Sequence, residues 1–422
     1  MGRTYNVIPV APADYRRLAE QRLPRFLFDY VDGGANAEIT LAANTAGFRD
    51  IVLRQRVMRD VSTIDTSTVL SGEQAAMPVI LAPVGMAGMM ARRGETQAVR
   101  AANATGVPFT LSTVAVCDLA EVKNAASKPF WFQLYMMRDR EVVKDLLARA
   151  EAAGCTTLAF TVDLAVTGLR HRDLRNGALS QSLRAKTVKA WEIVRHPHWL
   201  LDVALQGKPH GFGNLSDRVP DPTRLEAFTA WVASQFDTSV TWKDIEWLRS
   251  VWKGRLLIKG VLEPDDARAA VAAGADGVIV SNHGGRQLDG VASSISKLPG
   301  VVAAVGGHAE VYMDGGVRSG VDVFKAVALG ARGVMIGRPW VWALAAGGEK
   351  AVSDMLAIMR QELRIAMALS GVNRIDEIGR DAIDTASQLA AIERLLLAAE
   401  PPQQPTNAAH PAPPSATGSY LA

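Results

Sequence analysis

The 422-residue sequence has only two cysteines, Cys117 and Cys155, far apart and without a CxxC spacing, which excludes a disulfide framework and a cysteine-rich metal site. No uninterrupted apolar run reaches the ~20 residues that a membrane-spanning helix needs. The opening MGRTYNVIPVAPADYRR lacks the apolar core of a signal peptide. Neither sign of charge dominates: 46 Lys and Arg against 43 Asp and Glu leave a formal charge of +3, and no basic run interleaved with aromatics suggests a nucleic-acid groove. No GxGxxG follows a strand-like run and no GxxxxGK[ST] occurs, so a Rossmann or P-loop site is not expected. His196 and His198 lack further ligands nearby and read as surface residues, so no metal site is expected. The chain is expected in the cytoplasm, soluble or at most peripheral to a membrane.

What the chain has in quantity is apolar residues, 48% of the total, gathered into short runs. Val79–Ala82, Phe109–Ser112, Phe130–Tyr135, Leu158–Val162, Leu256–Lys259, Val278–Ser281, Val311–Met313 and Val334–Ile336 are near-continuous rather than alternating. That is the pattern of parallel strands buried on both faces. Helix-like segments Glu95–Ala104, Asp118–Asn124 and Arg140–Ala153 follow the first three, and Asp265–Ala273, Gly320–Leu329 and Lys350–Ala368 follow the fifth, seventh and eighth. AAGADGVIVSNHG runs helix, glycine stop, strand, polar loop, and ALGARGVMIGRP repeats the unit. The expected fold class is α/β, a (β/α)8 TIM barrel forming a single domain over residues 1–400. Residues 1–75 read as a helical N-terminal cap with a connector, and about 170–241 as a long insertion between strands 4 and 5. The Pro- and Ala-rich stretch 401–422 is expected to be disordered.

A barrel of this kind places its site at the C-terminal ends of its strands. Nearly every polar group of the apolar runs falls there: Pro83-Val84-Gly85, Ser112-Thr113, Gln133 and Tyr135, Thr161 and Asp163, Lys259, His283 and Arg286, Asp314 with Gly315-Gly316, and Gly337-Arg338. DGGVRSG after the seventh run and GRP after the eighth bring glycine amides together with Arg318 and Arg338, which favours phosphate binding over mere tight turns.

SNHGGRQLDG is the most specific segment. His283 and Arg286 lie three residues apart just past a buried run; a histidine takes a proton near neutral pH, and an arginine grips a carboxylate through two hydrogen bonds. Together they suit a substrate with both a carboxylate and an acidic or hydroxyl proton. Lys259 in LLIKG is either an anion stabiliser or half of a salt bridge in the barrel mouth. Asp163 either orients the histidine or caps the following segment.

With LPRFLFDYVDGGA, APVGMAG, TLSTVAV, FQLY, FTVD, IKGV, DGGVRSG and IGRP added to SNHGGRQLDG, the chain resembles the FMN-dependent L-2-hydroxy-acid oxidising family. That family includes glycolate oxidase, lactate oxidase, flavocytochrome b2 and mandelate dehydrogenase. The likeness runs from about Val10 to Ile378 and is greatest to the bacterial membrane-associated L-lactate dehydrogenase branch. It implies a substrate carboxylate held by Tyr30, Arg286 and Arg170, with His283 as base, Asp163 as its partner, and Tyr135 on the substrate hydroxyl or developing carbonyl. It implies FMN resting on Pro83, Val84 and Gly85 and touching Ser112, Gln133, Thr161 and Ser281, with Lys259 stabilising the reduced ring. Asp314, Gly316, Arg318, Gly337 and Arg338 would hold its ribityl and phosphate. Where glycolate oxidase has a tryptophan after the second strand, this sequence has Val114, and Val84-Gly85 replaces its Thr-Ala. Both differences favour lactate over glycolate.

The insertion is basic and apolar at once, with Lys186, Lys189, Arg195 and Lys208 near Trp191, Trp199, Leu200 and Leu201. It suits either a membrane surface on the inner face of the cell membrane or a lid packed on the barrel or a neighbouring subunit. With no second redox centre in the sequence, electrons are expected to pass to quinone first and to molecular oxygen second. A homo-oligomer, often a tetramer, is the family's implication. Competing readings are an O2-using oxidase, a mandelate-type dehydrogenase, another phosphate-binding barrel such as a flavin-using isopentenyl diphosphate isomerase or an inosine monophosphate dehydrogenase-like enzyme, and a ligand-binding sensor. Neither Cys117 nor Cys155 fits a catalytic cysteine loop, and the other barrels leave His283, Arg286 and Tyr30 unexplained.

Overall fold

Short apolar strands bury both faces only when neighbours hydrogen-bond on each side and helices cover the outside. The computed structural model, which describes residues 8–176, 182–218 and 234–384, meets that need by closing the strands on themselves. They are β1 (Val79–Leu81), β2 (Thr110–Ser112), β3 (Trp131–Leu134), β4 (Thr157–Thr161), β5 (Arg255–Val261), β6 (Gly277–Val280), β7 (Glu310–Met313) and β8 (Gly333–Ile336). All eight fall within two residues of the sequence expectation. Each pairs in parallel with its sequence neighbour, β8 returns to β1, and one parallel bridge from Leu81 to Phe109 completes the ring. The class is the expected (β/α)8 barrel.

Side chains of alternate strand positions divide into two cores. Ile80, Trp131, Ala159, Leu257, Ile279, Tyr312 and Met335 fill the inside of the barrel. Val79, Leu81, Phe132, Leu158, Phe160 and Ile258 face out against the helices. The N-terminal cap contains helices Pro12–Arg22, Arg25–Asp32 and Ile39–Ala46, as expected. Its connector ends in an antiparallel hairpin, Thr68–Leu70 with Glu73–Ala75, absent from the sequence reading. Leu70 and Ala75 of that hairpin join the inner core and floor the barrel.

Helix Ser294–Val305 also escaped the sequence reading, because Pro299 lies inside it. The last helical stretch starts earlier than expected, at Arg338, and breaks at Gly347 and Gly348 before continuing to Ser370. The insertion carries helices Leu183–Arg195 and Pro197–Trp199 and a π-helical turn Leu200–Leu205. Trp199 anchors it, buried, with Nε1 donating to the Met89 carbonyl at 2.8 Å. The expected disordered tail, 401–422, lies outside the described residues.

Candidate active site

The loops after β1 to β8 converge on one end of the barrel, and the residues singled out in the sequence meet there in four groups. The first pairs a histidine with a carboxylate. His283 Nδ1 lies 2.7 Å from Asp163 Oδ1. His283 adopts a left-handed backbone (φ +57°), strain of order 1–3 kcal/mol that tends to mark functional positions. Its amide donates to Ser281 Oγ at 3.0 Å. Burial opposes ionisation of Asp163, but His283 and then Lys259 outweigh it and hold the carboxyl below the usual aspartate range.

The second group gathers positive charge around an aromatic ring. The guanidinium carbons of Arg286 and Arg170 lie 5.1 and 5.7 Å from the Tyr30 ring centre. Arg286 Nη1 donates to the carbonyls of Tyr30 (2.6 Å) and Gly33 (2.9 Å). Among the described residues no carboxylate pairs with Arg286, whereas Arg170 has Asp173 at 3.5 Å. Burial first, then repulsion from Arg170 and Arg338, pushes Arg286 down to about 9. A half-buried fork of this kind, without a carboxylate partner, is complementary to a carboxylate. Tyr135 is raised above its ordinary value by burial and then by Asp163 and Tyr30, and so keeps its proton. Gly85 sits against this group: its carbonyl accepts from Tyr30 Oη at 3.4 Å, and a Cβ there would meet Val114 at 2.8 Å.

The third group is a cation among acceptors. Lys259 Nζ contacts Ser281 Oγ at 2.9 Å and Asp314 Oδ2 at 2.6 Å. The salt bridge weighed for it from the sequence is present. Burial works against its charge, yet Asp314 and Asp163 raise it above the ordinary lysine value. Beside it, adjacent strands align a polar ladder: Ser112 Oγ donates to Gln133 Oε1 at 3.1 Å, and Gln133 Nε2 donates to Thr161 Oγ1 at 3.1 Å.

The fourth group holds two more half-buried arginines. Arg338 donates to the carbonyls of Val31, Asp32, Gly33 and Gly284 at 2.8–3.2 Å. Arg318 donates to its neighbour's carbonyl and stacks 5.0 Å from Trp342. Burial first pushes Arg338 down to about 9 and Arg318 down to about 10. The Gly315 and Gly316 turns have φ of +89° and +90°, and a Cβ on Gly316 would strike the Asn44 carbonyl at 1.9 Å. Only glycine fits that approach.

Several supporting residues gave no sequence signal. Asn44 and Asn282 exchange reciprocal 2.8 Å hydrogen bonds between the cap and the His283 loop. Asp32 accepts a two-pronged bond from Arg16 at 2.7 Å and another from Arg172 at 2.8 Å, while Arg172 also grips Glu38. Arg172 stands two residues from Arg170, the nearest thing to a clue.

The residues present fit a flavin mononucleotide. Asp314 Oδ1 is buried and accepts no hydrogen bond from the described residues, as suits a ligand hydroxyl. The ladder and Lys259 offer polar groups along one ring edge, and Arg318 and Arg338 supply cations for a phosphate. Fold and site together define a flavin-binding barrel enzyme acting on a small carboxylate.

Comparison with known proteins agrees. The model of the FMN-dependent dehydrogenase family matches residues 19–385, and the chain belongs to that family; FMN is its cofactor. It is 54% identical over 370 residues to an L-lactate dehydrogenase of Caulobacter sp. (strain K31), covering 88% of this chain and 97% of that one. It is 52% identical over 373 residues to an L-lactate dehydrogenase of Stenotrophomonas maltophilia (strain K279a), covering 88% and 98%. Among solved structures, the monotopic membrane protein (S)-mandelate dehydrogenase superposes with a TM-score of 0.84 at 34% identity, covering 90% of this chain and all of that one.

Proposed function

We propose that this chain oxidises L-lactate to pyruvate. The observation that carries the reading is the half-buried Arg286–Tyr30–Arg170 group set beside the His283–Asp163 pair. The arginines and Tyr30 fix the substrate carboxylate, which presents the C2 carbon and its hydroxyl to His283. His283 takes a proton from the substrate while Asp163 holds its ring and offsets the charge it gains. Tyr135 donates to the substrate oxygen. FMN, when bound, would take up the two electrons together with the second hydrogen, and Lys259 would stabilise the negative charge left on it. Lactate is favoured by the L-lactate dehydrogenases at 52–54% identity and by the small Val114 and Gly85 side, which accommodates a methyl group. The mandelate enzymes among the solved structures make a larger, aromatic hydroxy acid the second reading.

The acceptor is a membrane quinone, with oxygen second, and the enzyme works as a homo-oligomer bound to the inner face of the membrane. The insertion supports membrane contact: Leu183, Trp191, Val194 and Leu201 are exposed, among Arg184, Lys186, Lys189 and Arg195. Among the described residues no helix is long and apolar enough to cross a membrane, so the contact is peripheral. Deleting residues 184–209 abolishes binding to anionic liposomes on this reading, and unchanged binding overturns it.

The first test is anaerobic addition of L-lactate to the yellow holoenzyme. The flavin band bleaches with L-lactate and not with D-lactate, and a quinone analogue restores it faster than air. A band that stays yellow with L-lactate but bleaches with L-mandelate moves the substrate to the aromatic acid. Failure with both overturns the assignment.

A further inference from the structure

We propose that Gln287 is a positioning residue whose amide fastens the Asp163–Gly168 turn to the segment carrying the base, and so sets the line of the His283–Asp163 pair. The inference rests on the reading of that pair as base and partner. Gln287 Nε2 donates to the Asp163 carbonyl at 2.9 Å and the Val166 carbonyl at 2.8 Å. Its Oε1 accepts from the Gly168 amide at 3.1 Å. Both amide hydrogens and the carbonyl are therefore used, and only this orientation matches two acceptors and one donor.

The clamp closes a ring of contacts. Asp163 is held by its side chain to His283 and by its carbonyl to Gln287, four residues further along the same segment. The turn has no slack at its far end either. A Cβ on Gly168 would meet the Arg286 carbonyl at 2.4 Å and Gln287 Cα at 2.8 Å. The next residue, Leu169, accepts from the Asn36 amide at 2.8 Å, and Arg170 follows directly. One side chain thus ties the carboxylate partner of the base and the approach to Arg170 to a single strand end. Misplacing reacting groups by about 1 Å costs on the order of 100-fold in rate, so the clamp has leverage although Gln287 touches no substrate atom.

The test compares Gln287→Met and Gln287→Glu with the native holoenzyme, following anaerobic flavin reduction by saturating L-lactate. Flavin content and thermal midpoint are recorded for each variant, and His283→Asn is run in parallel. Met keeps the length without hydrogen bonds. Glu keeps the shape but sets a carboxylate against two carbonyls. The expected rate order is Gln above Met above Glu, with losses of about 10-fold and about 100-fold at unchanged flavin content. Packing alone predicts the opposite order of the two variants. As the pH falls toward about 5 the Gln287→Glu variant regains part of its rate relative to the native enzyme at the same pH, as the carboxyl facing two carbonyls takes a proton, and the Met variant does not. Native rates for both Gln287 variants, with His283→Asn slow, overturn the clamp alone. A fast His283→Asn overturns the base assignment whatever the Gln287 variants do.

Discussion

The two ends of this barrel both bury ionisable groups, and they treat them oppositely. At the floor, Tyr312 Oη donates to Glu310 Oε2 at 2.7 Å and accepts from the Ser71 amide at 2.8 Å, while Glu73 Oε1 accepts from Trp131 Nε1 at 3.2 Å and from Thr156. At the mouth, Asp163, Asp173 and Asp314 each keep one buried oxygen without a partner among the described residues. Arg286, Arg318 and Arg338 there are met by backbone carbonyls rather than carboxylates. An unmet buried polar group costs about 1–3 kcal/mol. Asp163, Asp173 and Asp314 bear that cost at the end where a ligand can supply the missing partner, while the Thr110 and Thr157 hydroxyls, at the opposite ends of their strands, also lack partners among the described residues. The floor is built for stability, the mouth for binding.

The sharpest way to break this contrast is at His283, the proposed base. His283→Asn is expected to slow flavin reduction by L-lactate by about 1,000-fold or more, with flavin content and thermal midpoint near native. A variant that unfolds instead would make His283 a structural residue like those of the floor. Next in size is Arg286→Leu, which removes the fork proposed to grip the substrate carboxylate. The expected loss in kcat/KM is on the order of 100- to 1,000-fold, carried mostly by KM, and Arg286→Lys recovers little because an ammonium lacks the two-pronged geometry. Saturation by lactate at native concentrations would place the carboxylate elsewhere.

The floor answers in the other currency. Tyr312→Phe removes a hydroxyl that both donates and accepts, and is expected to lower stability by about 1–2 kcal/mol, read as a lower urea midpoint. Flavin reduction by lactate stays native. A slowed reduction with unchanged stability would mean that the two ends are coupled through the inner core, against the division drawn above.

How much of this was readable in the sequence follows from the range of the interactions. The eight strands were legible because parallel strands buried on both faces are nearly all apolar, and the site because polar groups interrupt such runs mostly at one end. His283, Arg286, Lys259 and Asp163 fell out of that rule, and the structure brings them together. What carried no signal was support from a distance: Asn44 is a helical asparagine like any other until it meets Asn282, 238 residues away. The floor hairpin is three residues per strand, too short for alternation to register. Helix Ser294–Val305 was hidden by a proline at a position that usually ends helices.

The smallest effect tests the contrast through pH. Burial raises the Glu73 carboxyl above the ordinary value, and the bonds from Thr156 and Trp131 only partly offset it; Asp163 at the mouth is lowered. A raised carboxyl contributes stability that is present below its unfolded value, about 4.3, and is lost as pH rises through the folded one. A lowered carboxyl contributes stability present above its unfolded value, about 3.9, and lost as pH falls through the folded one. Acidification therefore relieves the floor and weakens the mouth. Glu73→Gln keeps the oxygen that accepts from Trp131 and removes the buried charge. It is expected to equal or exceed native stability at pH 7 to 8 by less than about 1 kcal/mol, with the difference shrinking as the pH approaches 4. Asp163→Asn should run the other way, with a deficit at neutral pH that shrinks on acidification. Urea midpoints measured for both variants at pH 4.5 and 7.5 decide it, and parallel trends would show that the two ends do not differ in the way their hydrogen bonds imply.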